Sequence, residues 1–551
     1  MNREKQKTIA GLNNRKADPP EKGVYLLKGD ISGIQEYIFN VKSDGAAKTL
    51  KARSYYVQVL GKLASKFVLA NLEDAELFYE GGGNFFIEFK HDERTIDSTI
   101  DTIRTKLNES QRLEDLLIHL SYIKKYGEND FWTSLRAHSN QEKLIFFGDD
   151  INFFEPYSQK QEINFNKFPQ VEAWLSKISG LNSENNLYKA LTEIMVKEGN
   201  ILVKLLGGEF DEQDASFKDS LINKLPLWND YAEKDIYKEF RRKSKNLYPD
   251  NNELKDYNIV DFDALGDFAA HRTGTNKIGI LKLDVDNLGK LFRKAKPDNE
   301  VKEYSKIFST FFTETIYTAL YNTRSFRLLD STPEESYRAN IYPIFAGGDD
   351  CFIIGSWDAV LCFARDLHDL FCNDEDIKSI KLGNQPMTFS AGIVLVDPTH
   401  PVVNFSELAE GALAQAKSTG KNQVSVLGLS FSWDDYKQIL ETSKLIADEM
   451  LTKNISRAYL DKIRKSAKGF NALQNRDGVD FDKIYKLKYY LSKNNDKLGT
   501  IVEKLFVPYY NTLKSRLLKN SSTKVDVAIY PAITRITELL TKNKLNYGTG
   551  E

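Results

Sequence analysis

Between residues 344 and 354 the chain reads Ile-Phe-Ala-Gly-Gly-Asp-Asp-Cys-Phe-Ile-Ile, two apolar runs around a Gly347-Gly348-Asp349-Asp350 tip. Apolar, strand-forming runs joined by a glycine-bearing turn specify a β-hairpin. This hairpin presents adjacent carboxylates at its bend. Upstream, Ile280-Leu281-Lys282-Leu283-Asp284-Val285-Asp286-Asn287-Leu288-Gly289 reads as a buried strand ending in Asp284 and then a turn. A strand and a hairpin that end side by side gather acidic oxygens at one place. Crowded carboxylates repel, and one takes up a proton unless a cation neutralises them. Hard divalent ions such as Mg²⁺ or Mn²⁺ bind such oxygens, and two of them ~4 Å apart serve nucleotidyl transfer.

Asp284, Asp349 and Asp350 are therefore the candidate catalytic and metal-binding residues, with Val285 beside them in the metal set. Strand alternation puts Asp286 on the side of Asp284, as a further ligand or a support for the turn. Asn287, Leu288 and Gly289 form a strand-to-helix turn whose N–H groups could receive phosphate. Gly347 and Gly348 suit a tight turn with backbone close to phosphate. Lys417 and Lys421, in Lys417-Ser418-Thr419-Gly420-Lys421-Asn422, read either as phosphate-binding point charges or as solvated lysines at a helix end.

The same order of elements occurs earlier. Val24-Tyr25-Leu26-Leu27 starts a strand reaching Asp30, a helix spans about 50–72, and residues 75–89 form a strand, a Gly81-Gly82-Gly83-Asn84 tip and a strand. Asp30 and Gly81 are 51 residues apart, Asp284 and Gly347 63. This spacing implies a degenerate duplication of one βαββ unit. The first copy has Gly83 and Asn84 where the second has acids, so one copy holds the chemistry. The predicted fold class is α+β: two ferredoxin-like palms of the nucleotide cyclase (GGDEF-like) kind, a mainly helical inter-palm domain and a C-terminal helical domain. The expected divisions are a polar N-terminal segment at 1–22, palms at 23–110 and 276–429, the inter-palm region at 111–275, and the C-terminal helices at 430–551.

No apolar run approaches the ~18 residues that cross a bilayer and residues 1–20 contain no secretory core, so no membrane partner is expected and a cytoplasmic location is. Three cysteines, Cys351, Cys362 and Cys372, lack the spacing of a disulfide framework or a structural zinc site. Net charge is −2, yet residues 451–551 carry 20 Lys+Arg against 9 Asp+Glu. A basic C-terminal region fits nucleic acid or an acidic subunit, or else lysine-coated helices facing water. The pairs His91-Asp92 and His368-Asp369 stand far apart among six histidines, which is too sparse for an HD phosphohydrolase.

Taken with the Gly347–Asp350 tip, the segments Gly29-Asp30-Ile31-Ser32-Gly33-Ile34-Gln35, Lys51-Ala52-Arg53-Ser54-Tyr55-Tyr56 and Gly81-Gly82-Gly83 resemble the large, polymerase-like subunit of type III CRISPR effector complexes. This is the Csm/Cmr large subunit, or "Cas ten", family. The resemblance implies two palms binding two ATP molecules, and 3′–5′ oligoadenylate synthesis, usually cyclic, as an antiviral second messenger. It also implies activation when guide RNA pairs with target RNA inside a complex with other type III subunits. Asp284, Asp349 and Asp350 match the metal-binding acids, and Ser54 matches a nucleotide-contacting serine. By the duplication its counterpart is Ser309, with Ser305 next. The N-terminal HD nuclease domain and the zinc-binding cysteines of many members are expected to be absent, so neither DNase activity nor zinc is expected. Transfer of adenylate to another acceptor such as S-adenosylmethionine, or a non-catalytic ATP-binding scaffold, remain alternatives.

Overall fold

The computed structural model describes residues 22–41, 46–111, 116–125, 131–146, 221, 224–226, 260–294, 300–465, 489, 501–517 and 528–543. The N-terminal segment 1–21 and most of the region between the palms lie outside them. The described residues fall into two compact units, and the division passes through one long helix.

The first unit is built on strands β1 (Lys22–Ser32), β2 (Glu76–Gly81), β3 (Asn84–Asp92) and β4 (Leu117–Lys124), in the order β2-β3-β1-β4 with every neighbour antiparallel. Alternation puts Leu27, Phe85, Ile87 and Phe89 into a buried core. A Cβ on Gly29 would lie 2.0 Å from the Phe85 ring directly across the ladder, so the ring covers that backbone. Strand β4, which lies beyond the expected boundary at 110, pairs with β1 at the edge of this sheet. Helices α3 (Ile96–Gln111) and α4 (Phe131–Phe146) pack on β4.

Helix α2 (Ala46–Ala70) contributes residues 46–59 to the second unit, as does α1 (Ile34–Phe39). The second sheet comprises β5 (Ile278–Val285), β6 (Ile341–Gly347), β7 (Asp350–Ser356), β8 (Phe389–Val396), β9 (Gln423–Val426) and β10 (Leu429–Ser432). Their order is β10-β9-β8-β5-β7-β6, with only β8–β9 parallel. Within it, β8-β5-β7-β6 repeats the first sheet's β4-β1-β3-β2 strand for strand. A bulge recurs as well: the ladder skips between Leu77 and Tyr79 in one hairpin and between Pro343 and Phe345 in the other.

Helix α7 (Glu300–Thr310), continued by π-helical turns through Tyr321, and α8 (Trp357–Asn373) are the crossover helices of this ferredoxin-like unit. A Cβ on Gly279 would meet Val360 of α8 at 2.8 Å, and one on Gly392 would meet the Leu413 backbone nitrogen of α9 (Phe405–Ser418) at 2.3 Å. Gly279 and Gly392 thus let helices lie close against opposite faces of the sheet. Helix α5 (Phe262–Thr273) is tied to α8 by a buried two-pronged ion pair, Arg272 Nε to Asp358 Oδ2 at 2.7 Å and Nη2 to Oδ1 at 2.9 Å. The C-terminal helices α10 (Trp433–Thr452), α11 (Val507–Leu517) and α12 (Ile529–Thr541) extend the same hydrophobic core, with Tyr436, Ile446, Tyr509 and Ile536 buried in it. The fold is α+β, two ferredoxin-like palms with helical additions. Among the described residues no helix is long and apolar enough to cross a membrane.

Candidate active site of the second palm

Asp284 stands directly opposite Asp350 on neighbouring strands. The Val285 N–H donates to the Asp349 carbonyl at 3.0 Å, so 285 and 349 form a hydrogen-bonded position of the ladder. Asp284 and Asp350 therefore occupy the adjoining non-hydrogen-bonded position, where facing side chains lie closest. Asp349 sits in the turn between β6 and β7, beside Gly348 with φ 67°, a left-handed conformation that glycine accepts without strain. A Cβ on Gly347 or Gly289 would meet nothing within 4 Å.

Burial, reinforced by Asp284, pushes the Asp349 carboxyl up to about 6. Burial and then Asp349 hold Asp350 well above the usual carboxylate range. Asp284 is also raised by burial, although Lys417 opposes the shift. The three acids thus act on one another pairwise. Among the described residues, however, no three carboxylate, imidazole or thiol side chains converge on one point. Asp284, Asp349 and Asp350 present hard oxygen donors at this corner without a closed cage. That donor set still fits Mg²⁺ or Mn²⁺, since such ions are held by one or two carboxylates together with substrate phosphates.

The last turn of α9 and the loop after it are fastened to the end of β5 at three successive points. Lys417 Nζ donates to Asp284 Oδ2 at 2.5 Å, the Asn422 N–H to Asp286 Oδ2 at 2.8 Å, and Lys421 Nζ to Asn287 Oδ1 at 2.8 Å. Asp286 is 2% exposed and also accepts from Thr388 Oγ1 at 2.9 Å and Ser390 Oγ at 2.8 Å. It is a support rather than an open ligand. Lys421 and Asn422 have φ of 60° and 49° and Asn287 has 62°, so the loop is held in left-handed backbone that these residues adopt at a cost. Both lysines are thereby tied to side chains at the end of β5. Leu288 and Gly289 open the short helix α6 (Leu288–Lys294) beside Asn287.

Ser54 has a backbone partner in this structure. It is buried, and its hydroxyl donates to the Ile344 carbonyl, while Lys51 Nζ donates to the Pro343 carbonyl at 2.8 Å. These bonds satisfy backbone at the β6 bulge, so Ser54 makes a structural contact here. Ser305 is buried on α7, its hydroxyl without a hydrogen-bond partner, and Ser309 is half-buried. Sequence reasoning passed over Lys282, which lies two residues before Asp284 on the same face. It pairs with Glu410 of α9 and its charge favours ionised Asp350. The lysine inside an otherwise apolar strand was the available signal. Of the two His-Asp pairs, His368 stacks on Trp433 at 4.4 Å, its pKa lowered to about 4 by burial, and His91 Nδ1 contacts the Asp92 backbone.

Residues 277–425 match the family model of the Cas10/Cmr2 second palm domain, and residues 23–145 match that of Csm1 subunit domain B. A relative from Methanocaldococcus jannaschii, named CRISPR system single-strand-specific deoxyribonuclease Cas10/Csm1 (subtype III-A), is 27% identical, with 74% of this chain and 59% of its own length covered. Its namesake from Mycobacterium tuberculosis is 25% identical, over 87% of this chain and 61% of its own. The chain spans about three fifths of the length of the curated relatives it matches. The crystal structure of an apo Csm1–Csm4 cassette has the same fold, with a TM-score of 0.62 at 20% identity over 97% of this chain and 72% of that one. The cassette in complex with cA4 gives 0.61 at 18% identity, over 94% and 70%. Two matched domains in the expected order, on a fold that carries both palms, make the chain similar to the Cas10/Csm1 large subunits of type III CRISPR effector complexes.

Proposed function

We propose that the second palm is a divalent-metal-dependent nucleotidyltransferase that converts ATP into oligoadenylate, linear or cyclic, within a type III effector complex. The observation that carries this reading is Asp284 facing Asp350 across the ladder, with Asp349 in the turn and Lys417 and Lys421 fastened beside them. Structural neighbours captured with ATP, AMPPNP, pppApA, cA3 and cA4 support adenine nucleotides as the substrate class.

Asp284 and Asp349, with the Val285 main chain, are the residues that would hold Mg²⁺ or Mn²⁺. Bound there, the cation supplies a lowered pKa for an attacking 3′-hydroxyl and charge neutralisation for the triphosphate. Lys417 and Lys421 give the phosphates their counter-charge, and the N–H groups at Asn287, Leu288 and Gly289 lie at the same corner. Ser305, on the crossover helix, offers a free hydroxyl. Asp350 keeps the hairpin tip acidic next to Asp349, with Lys282 limiting the cost of its burial. Guide RNA, target RNA and other type III subunits, including one like the Csm4 of the neighbouring structures, are the proposed partners.

The test is incubation of the assembled complex with radiolabelled ATP, Mn²⁺ and target RNA. Adenylate oligomers should form, and an Asp349→Ala/Asp350→Ala variant should lose them. Undiminished product from that variant would refute the assignment. No oligomer in the wild type, with labelled AMP appearing on added S-adenosylmethionine, would redirect it to another acceptor. The curated relatives are named as deoxyribonucleases; we assign no DNA-cleaving role to the second palm.

A further inference from the structure

The contact between Lys417 and Asp284 has a double in the first palm. There Lys143 pairs with Asp30, the residue in the position of Asp284, and Lys28 lies 3.7 Å from the same carboxylate. Each lysine is the thirteenth residue of the helix that follows its palm's fourth strand, α4 in one and α9 in the other. Each side chain is 33% exposed. Asn84 faces Asp30 where Asp350 faces Asp284. The first palm therefore keeps the lysine–carboxylate pair without the hairpin acids, which marks the pair as a device of the repeated unit that can exist without a metal centre.

In the second palm the same device has a chemical consequence. The ammonium group occupies an oxygen of the strand-end carboxylate that a divalent cation would need. From this we infer that Lys417 is a built-in competitor for Asp284, so that divalent metal and nucleoside triphosphate load together. A triphosphate offers the ammonium better partners and draws it away, freeing Asp284 for the cation. Metal without triphosphate has to displace the lysine unaided. Reciprocity then requires that each ligand strengthen the other by the same factor. The inference rests on the proposed metal role of Asp284, yet it concerns binding alone and needs no turnover.

The experiment measures Mn²⁺ affinity of the full chain by the loss of the free-ion electron paramagnetic resonance signal, with and without the α,β-methylene analogue of ATP. The wild type should bind Mn²⁺ weakly alone and about tenfold or more tighter with the analogue, the size expected of one charge-assisted hydrogen bond. Lys417→Met should bind Mn²⁺ alone about tenfold tighter than wild type and lose most of the enhancement. Lys417→Gln should behave likewise, guarding against a defect peculiar to one variant. Lys143→Met should match the wild type. Unchanged or weaker nucleotide-free Mn²⁺ binding in both Lys417 variants would overturn the inference. No Mn²⁺ binding to wild type under either condition would instead refute the metal role of Asp284, and failure of the turnover assay alone would leave this result standing.

Discussion

Replacing Asp286 with alanine separates the scaffold of the site from its chemistry. The carboxylate accepts three hydrogen bonds, from Thr388, Ser390 and the Asn422 N–H, at 2.8 to 2.9 Å. Bonds to a charged group contribute ~1.5–3 kcal/mol each, and a buried donor left unpaired costs ~1–3 kcal/mol. Thr388 is half-buried and can turn its hydroxyl elsewhere. Ser390 is fully buried, and the Asn422 amide is fixed by its left-handed backbone, so two donors stay stranded. The net loss should be about 3–5 kcal/mol, read as a lower urea midpoint in tryptophan fluorescence, to which buried Trp357 and Trp433 report from this unit. Asp286→Asn retains one acceptor oxygen and should lose about 1–2 kcal/mol. Asp284→Asn, two residues away, should abolish product and change the midpoint little. An Asp286→Ala protein as stable as wild type, or an Asp284→Asn protein as active, would refute this division of labour.

The Asp349 carboxyl, raised to about 6, favours the protonated form in the folded chain. Its contribution to stability is therefore present below the ordinary carboxylate pKa and lost as pH rises through about 6. Melting temperatures in EDTA should fall over that window, and Asp349→Asn should flatten the fall. Arg272→Met strands Asp358 in the core and should cost ~3–5 kcal/mol by urea denaturation, with much of it restored in Arg272→Met/Asp358→Leu, because a buried ion pair is dear to break and cheap to replace whole. Gly392→Ala puts a methyl 2.3 Å from the Leu413 nitrogen and 2.6 Å from the Ala412 carbonyl carbon. Helix α9 must retreat and carry Lys417 with it, so stability should drop by ~1–3 kcal/mol and turnover should drop as well.

The hairpin, the strand to Asp284 and the duplicated order were legible because alternation and a glycine tip are local signals. The helix after residue 404 was legible for the same reason, its apolar stripe. The strand 117–124 was not: its buried positions include His119 and Ser121, which break the apolar pattern of a sheet strand. The role of Asp286 was hidden for another reason. Its three partners lie 102 to 136 residues away, and strand alternation alone cannot distinguish a ligand from a brace. The contact of Ser54 with the β6 bulge was not legible, because a serine facing backbone and one facing a phosphate look alike in a string of letters.

The two palms share strand order, a bulge at the same step and a lysine at the same helical position, while their tips differ by Gly83 for Asp349 and Asn84 for Asp350. Switching chemistry on or off in such a module asks nothing of the main chain. The same scaffold stands with either pair of side chains at its tip.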